Sequence, residues 1–230
     1  MSELNLMEDK TVEISVQTQG ILFDMDGVLI SSIGSVVRCW RRWAAIYGVP
    51  NADTYEVPHG MRAIEIVKAL RPDIDPQEGL RVIEDMEIDD TEGLTVLPGV
   101  KKLLEGLPPE RWAIVTSATS RLLLGRLKVA GLPIPTRIIS ADMVERGKPD
   151  PEPYRRGAEL LGFKPEDCIV LEDAPSGVGA GIAAGCRVLG VLGTHSVEEL
   201  SQATWVAQSL DAVIVDSSGE GLVLRFASKR

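Results

Sequence analysis

Several ingredients are scarce in this chain, and each scarcity excludes something. Cysteine occurs three times, at Cys39, Cys168 and Cys186, with no CxxC pair. That argues against a disulfide framework or a zinc knuckle and leaves buried thiols in a reducing compartment. Aromatic residues make up only 4% of the chain, so its core must rest on aliphatic side chains and alanine. Basic residues are in deficit, with 24 Lys and Arg against 34 Asp and Glu and a formal charge of −10. A nucleic-acid partner would need a basic face to displace counterions from phosphates, so none is expected. A small anionic substrate is still allowed, because one bound cation reverses the local field. No apolar run approaches the roughly 18 residues of a membrane span. The acidic start, MSELNLMEDK, lacks the apolar stretch of a secretory signal. The expectation is a soluble cytoplasmic protein with no nucleic-acid, membrane or protein partner.

What is present has a clear rhythm. Val12, Ile14 and Val16 alternate with polar residues, as in a half-exposed strand, and the buried run ILF then stops at Asp24. Val36, Val37, Trp40, Trp43, Ala44 and Tyr47 share one helical face, closed by Gly48 and Pro50. Ala63 to Leu70 and Gly79 to Met86 read as two more helices, so about 34–96 is expected to be all-helical. Past Leu97, short apolar strands (WAIVTS, RIIS, CIVLED, RVLGVLG, DAVIVD) alternate with helices over 121–129, 151–161, a glycine- and alanine-rich stretch, and one near Glu198–Gln202. That alternation indicates βαβ units and a parallel sheet buried on both faces. The expected fold class is α/β, with a helical insertion above the carboxyl ends of the strands, where open sheets of this kind bind ligands. The segments Val12–Val16 and GLVLRF are candidates for edge strands.

Polar residues follow the apolar runs directly: Asp24 and Asp26 with Gly27, Thr116 and Ser117, Lys148 after RIIS, and Glu172 with Asp173. Parallel strands present such ends on one edge, so these groups are expected to converge. Two acidic pairs suit a hard divalent cation with oxygen ligands, magnesium in particular, which needs few carboxylates beside a substrate phosphate. A lysine and a hydroxyl suit the remaining phosphate oxygens. Bland explanations fit less well. Read as a calcium loop, DxDG places Val28 at a position that needs an oxygen ligand. Read as a dinucleotide fingerprint, Gly177 and Gly179 are followed by Ile182 where a third glycine belongs, so close helix-on-sheet packing explains these glycines better.

The strings DMDGVL, VTSAT, GKPDPEPY and VLEDAPSGVGAGIAAG, in that order, resemble the haloacid dehalogenase superfamily of phosphohydrolases. HGMR, DTEGLTVLPG and RWAIVTSAT resemble its sugar- and polyol-phosphate phosphatase branch. The resemblance implies a Rossmann-like core formed by 1–33 and 97–230, with a helical cap over 34–96. It also implies residue roles. Asp24 would be the nucleophile that forms an aspartyl-phosphate, and Asp26 the acid and base. Magnesium would be held by Asp24, the Asp26 carbonyl and Asp173, with Glu172 behind them. Ser117, or Thr116 with a one-residue shift, would bind phosphate beside Lys148. His59 and Arg62, at the start of the second cap helix, would reach the substrate, a small phosphorylated metabolite. Ser31 departs from the pattern, standing where many relatives are acidic. A phosphosugar mutase shares all these motifs and is the nearest alternative. A dehalogenase, or a silent phosphometabolite-binding module, fits less well.

Overall fold

The computed structural model describes residues 11–229; the acidic segment MSELNLMEDK lies outside them. The strand β2 (Gly20–Phe23) is wholly buried. It is flanked in parallel by β5 (Trp112–Val115) and β7 (Cys168–Glu172). Further out lie β6 (Ile138–Ile139) beside β5 and β8 (Arg187–Val191) beside β7, with β9 (Trp205–Ala207) beyond, all parallel. Successive side chains of β2 face opposite ways. Ile21 and Phe23 join one apolar cluster, and Leu22 joins another across the sheet. Burial on both faces explains why these strands read as unbroken apolar runs.

The sheet is not purely parallel. The strands β1 (Thr11–Thr18) and β11 (Leu222–Lys229) pair antiparallel along their full lengths. The strand β11 also joins β9, and β10 (Ile214–Asp216) pairs with it too, giving a nine-stranded sheet. The two candidate edge segments are therefore partners of each other.

Between β2 and β5 the chain forms the helices α1 (Ile33–Ile46), α2 (Ala63–Leu70) and α3 (Pro76–Asp89). They close around their own cluster of Trp40, Trp43, Val57, Ile66, Val67 and Ile83. Trp43 is fully buried, and its Nε1 donates to Gly79 O at 2.9 Å, so the largest cluster member leaves no unmet donor. The all-helical expectation for 34–96 needs one correction. Thr95–Val96 is a strand, β4, which pairs antiparallel with β3 (Ile30–Ser31). This two-stranded ribbon ties together the chain's exit from and return to the sheet, and Ser31 sits in it opposite Thr95.

The other helices are α4 (Val100–Glu105), α5 (Ser120–Ala130), α6 (Glu152–Leu161) and α7 (Pro175–Ala184). The helix expected near Glu198–Gln202 does not form, and the segment is a turn. Ser196 N donates to Glu199 Oε2 and Glu199 N to Ser196 Oγ, a reciprocal cap for one helical turn. With β9 starting at Trp205, that turn has no length over which to propagate. All three cysteines are buried and free, and no described helix is long and apolar enough to cross a membrane.

Candidate active site

Because β5, β2 and β7 lie side by side and parallel, the residues that follow them arrive at one edge together. Phe23 is level with Ile114 and Leu171, which brings Asp24, Thr116 and Asp173 to the same end of the sheet. Asp24 N donates to Leu171 O at 3.0 Å, continuing the ladder one residue beyond β2. The turn after it needs Gly27. Its φ is +81°, and a side-chain carbon there would run into the Asp173 carboxylate.

Lys148 is the hub. It is 1% exposed, and its Nζ donates to Asp24 Oδ1 and Glu172 Oε1, both at 2.7 Å, and to Val115 O at 3.1 Å. The ammonium also lies 4.9 Å from the Tyr154 ring centroid. Burial works against its charge, but Asp24 and Glu172 outweigh that and hold it protonated above the ordinary lysine range. Glu172 is fully occupied. Oε1 takes Lys148 and Tyr154 Oη, and Oε2 takes the amides of Asp173 and Ala174. Gly177 in the first turn of α7 gives this carboxylate its room, since a side-chain carbon there would overlap it. Gly181 of the same helix packs closely on Val170 and Val188 of the sheet, whereas Gly179 has only an ordinary contact with Pro149, so close packing accounts for Gly177 and Gly181 but not for Gly179.

Asp24, Glu172 and Asp173 each bring a carboxylate oxygen within 4.8 Å of the others. Asp24 Oδ1 is taken by Lys148 and Asp173 Oδ2 by the Thr194 hydroxyl at 2.5 Å. Their other oxygens, Asp24 Oδ2 and Asp173 Oδ1, take no hydrogen bond among the described residues. Burial pushes the Asp24 carboxyl up, against the pull of Lys148, with Glu172 and Asp26 adding to the rise. Asp173 is pushed well above the usual carboxylate range by burial, then by Glu172 and Asp24. Two crowded carboxyls with unused oxygens, backed by a saturated third, fit a small divalent cation, which would relieve both shifts.

Asp26 lies at the side of the pocket. Its Oδ1 accepts from Ser32 Oγ at 2.5 Å and its Oδ2 from Arg126 Nη1 at 2.6 Å. Thr116 and Ser117 both line the same pocket. Thr116 is buried, with Oγ1 accepting from Ala118 N at 3.0 Å. Ser117 Oγ donates to Gly60 O at 2.6 Å. His59 also lines the pocket, and its carbonyl accepts from Ser176 Oγ at 3.0 Å, so the segment before α2 is seated on the strand ends at two points. Arg62 is not brought to the pocket. It pairs with Glu65 and donates to Val144 O and Glu145 O, on the loop that leads to Lys148.

Four residues at this site escaped the sequence reading. His195 accounts with His59 for both histidines of the chain, and their rings meet edge to face at 5.6 Å. His195 Nδ1 lies 2.9 Å from Asp173 O. Burial, then His195, lowers the His59 pKa. Arg126 from α5 and Glu84 and Glu87 from α3 are all buried and line the wall beyond Asp26. Arg126 Nη2 donates to Glu87 Oε2 at 2.9 Å. Burial raises the Glu87 pKa to about 7 in spite of Arg126. The signal was present: Arg126 falls in the apolar stripe of Leu122, Leu123 and Leu127, where a surface charge does not belong.

The chain is similar to known proteins over most of its length. Residues 18–185 match the family model for haloacid dehalogenase-like hydrolases. Hexitol phosphatase A of Escherichia coli is 38% identical over 217 residues, covering 91% of this chain and 99% of that protein. Glycerol-1-phosphate phosphohydrolase 2 of Saccharomyces cerevisiae is 31% identical over 204 residues, covering 84% of this chain and 82% of that one. Among solved structures, a hydrolase from Pseudomonas syringae superposes with a TM-score of 0.75 at 26% identity, covering 84% of this chain and 94% of that one. The chain therefore belongs to the haloacid dehalogenase-like hydrolases.

Proposed function

We propose that the protein is a magnesium-dependent phosphatase of small phosphorylated sugars or polyols. The observation that carries this reading is the buried Lys148, bonded at once to Asp24 and Glu172. It keeps a carboxylate in place as a nucleophile and sets a positive charge directly behind it. The relatives that act on hexitol and glycerol phosphates support the substrate class.

In the first step Asp24 attacks phosphorus. A bond forms between its oxygen and phosphorus, and the bond to the substrate oxygen breaks. Asp26 gives a proton to the leaving alkoxide, which requires it to turn from Arg126 towards the pocket. Asp26 then takes a proton from water as that water attacks the aspartyl-phosphate, which frees phosphate and restores Asp24. Ser117, less buried than Thr116 and bonded only to a loop carbonyl, is the better placed of the two to donate to a phosphate oxygen. Magnesium bound by Asp24, Asp173 and the Asp26 carbonyl would supply charge neutralisation of the phosphate. The helices α1–α3 act as a cap over residues 34–96 that shields the reaction from bulk water, with His59, Glu84 and Glu87 among its contacts to the pocket.

A panel of phosphorylated metabolites assayed with magnesium is expected to yield free phosphate, fastest from sugar or polyol monophosphates. A product that is an isomeric sugar phosphate, with no free phosphate, would favour the mutase and overturn the proposal.

A further inference from the structure

The pocket has two unlike ends. One is formed by Asp24 and Asp173, with Lys148 buried behind Asp24. The other is a wall built from α3 and α5, where Glu84 and Glu87 stand one helical turn apart. Glu84 accepts from the Thr119 hydroxyl, and its Oε2 lies 3.6 Å from the exposed Arg121. Arg126, the buried cation of this wall, is spent on Asp26 and Glu87. Asp26 and Glu87 thus share one buried guanidinium, and Glu84 has only the Thr119 hydroxyl and the exposed Arg121 beside it. A second and independent sign comes from Arg126 Nε, which is buried without any hydrogen-bond partner, an unmet donor in the same wall.

We infer that Glu84, Glu87 and Arg126 form a specificity wall that selects a neutral polyhydroxyl tail and rejects substrates with a second anionic group. This rests on the phosphatase reading and deepens it. Hydroxyls are donors as well as acceptors, so they can satisfy carboxylates that already flank a cation. A second phosphate or a carboxylate offers only acceptors and negative charge, and here it would lie beside the carboxylates of Glu84 and Glu87, with Arg126 still neutralised by Glu87 when Asp26 turns away. The same wall speaks against the mutase alternative. Moving a phosphoryl group between two hydroxyls of one sugar passes through a bisphosphate, whose far phosphate needs a cationic seat at this end of the pocket. Residues 59–62 do not supply one, because Arg62 is tied to Glu65 and the loop carbonyls of Val144 and Glu145.

The test compares kcat/KM at pH 8 with magnesium for sorbitol 6-phosphate, fructose 1,6-bisphosphate, 6-phosphogluconate and p-nitrophenyl phosphate. For the wild-type protein, sorbitol 6-phosphate is expected to exceed the bisphosphate and the phosphogluconate by about a hundredfold. In Glu84→Gln and in Glu87→Gln that ratio is expected to shrink about tenfold, mainly through KM. If the wild type turns over the doubly anionic substrates as well as sorbitol 6-phosphate, or if neither variant moves the ratio, the wall does not select. The wild-type ratio alone decides the matter should a variant fail to fold. No phosphate from any substrate, the aryl phosphate included, would instead overturn the phosphatase reading on which the wall depends.

Discussion

Asp24→Asn is expected to lose on the order of 10⁴-fold or more in phosphate release while its melting temperature holds or rises. The two halves of that result have one cause. Asp24 is 5% exposed, and its carboxyl is pushed up by burial and by Glu172 and Asp26. Its ionised form is therefore costly to keep in the fold, and an amide of the same shape removes that cost. The amide cannot attack phosphorus, so the chemistry stops. Lys148 still has Glu172 and Val115 O to bond, which keeps its buried charge partnered in the variant. Thermal unfolding and a phosphate-release assay on the same preparation check both halves. A variant that melts much lower and keeps partial activity would mark Asp24 as a structural group.

The second large effect concerns the cation. Chelation is expected to abolish turnover and added magnesium to restore it, with Asp173→Asn raising the magnesium requirement by at least about a hundredfold. A readout independent of activity is available. Binding to the folded state alone stabilises by about 2.7 kcal/mol at a hundred times the dissociation constant, so magnesium should raise the melting temperature of the wild type. The rise should vanish in Asp173→Asn, which lacks one of the two carboxylates with an unused oxygen. It should persist in Glu84→Gln, because Glu84 lies on the far wall. Equal stabilisation of the wild type and Asp173→Asn would place the ion elsewhere.

Much of this was legible in the sequence because of where the chemistry sits. Asp24, Thr116 and Asp173 directly follow strands that are apolar on both faces, so each strand announces its own end. Parallel pairing then forces those ends onto one edge. Lys148 was harder, being eight residues beyond Ser140: its charge suited a phosphate oxygen, but the structure spends it on 2.7 Å contacts to two of the acids. Arg126, Glu84 and Glu87 were missed because a charged residue on a helix reads as solvent-facing unless its place in the apolar stripe is tracked. His195 was missed for another reason. It approaches His59 only once β7 and β8 have brought their loops together, and no spacing in the chain encodes that meeting. Arg62 shows the converse: its string matched the pattern, yet local partners hold it on a neighbouring loop.

The most direct measurement uses the Asp26→Asn variant, which keeps the nucleophile but lacks the group that activates the second step. Mixed with magnesium and p-nitrophenyl phosphate, whose leaving group needs no proton from residue 26, then quenched and digested, the protein is expected to carry one phosphoryl group on the peptide containing Asp24. A phosphoryl group on another residue would contradict the assignment of Asp24 as nucleophile. So would steady release of phosphate with no labelled peptide at any time after mixing.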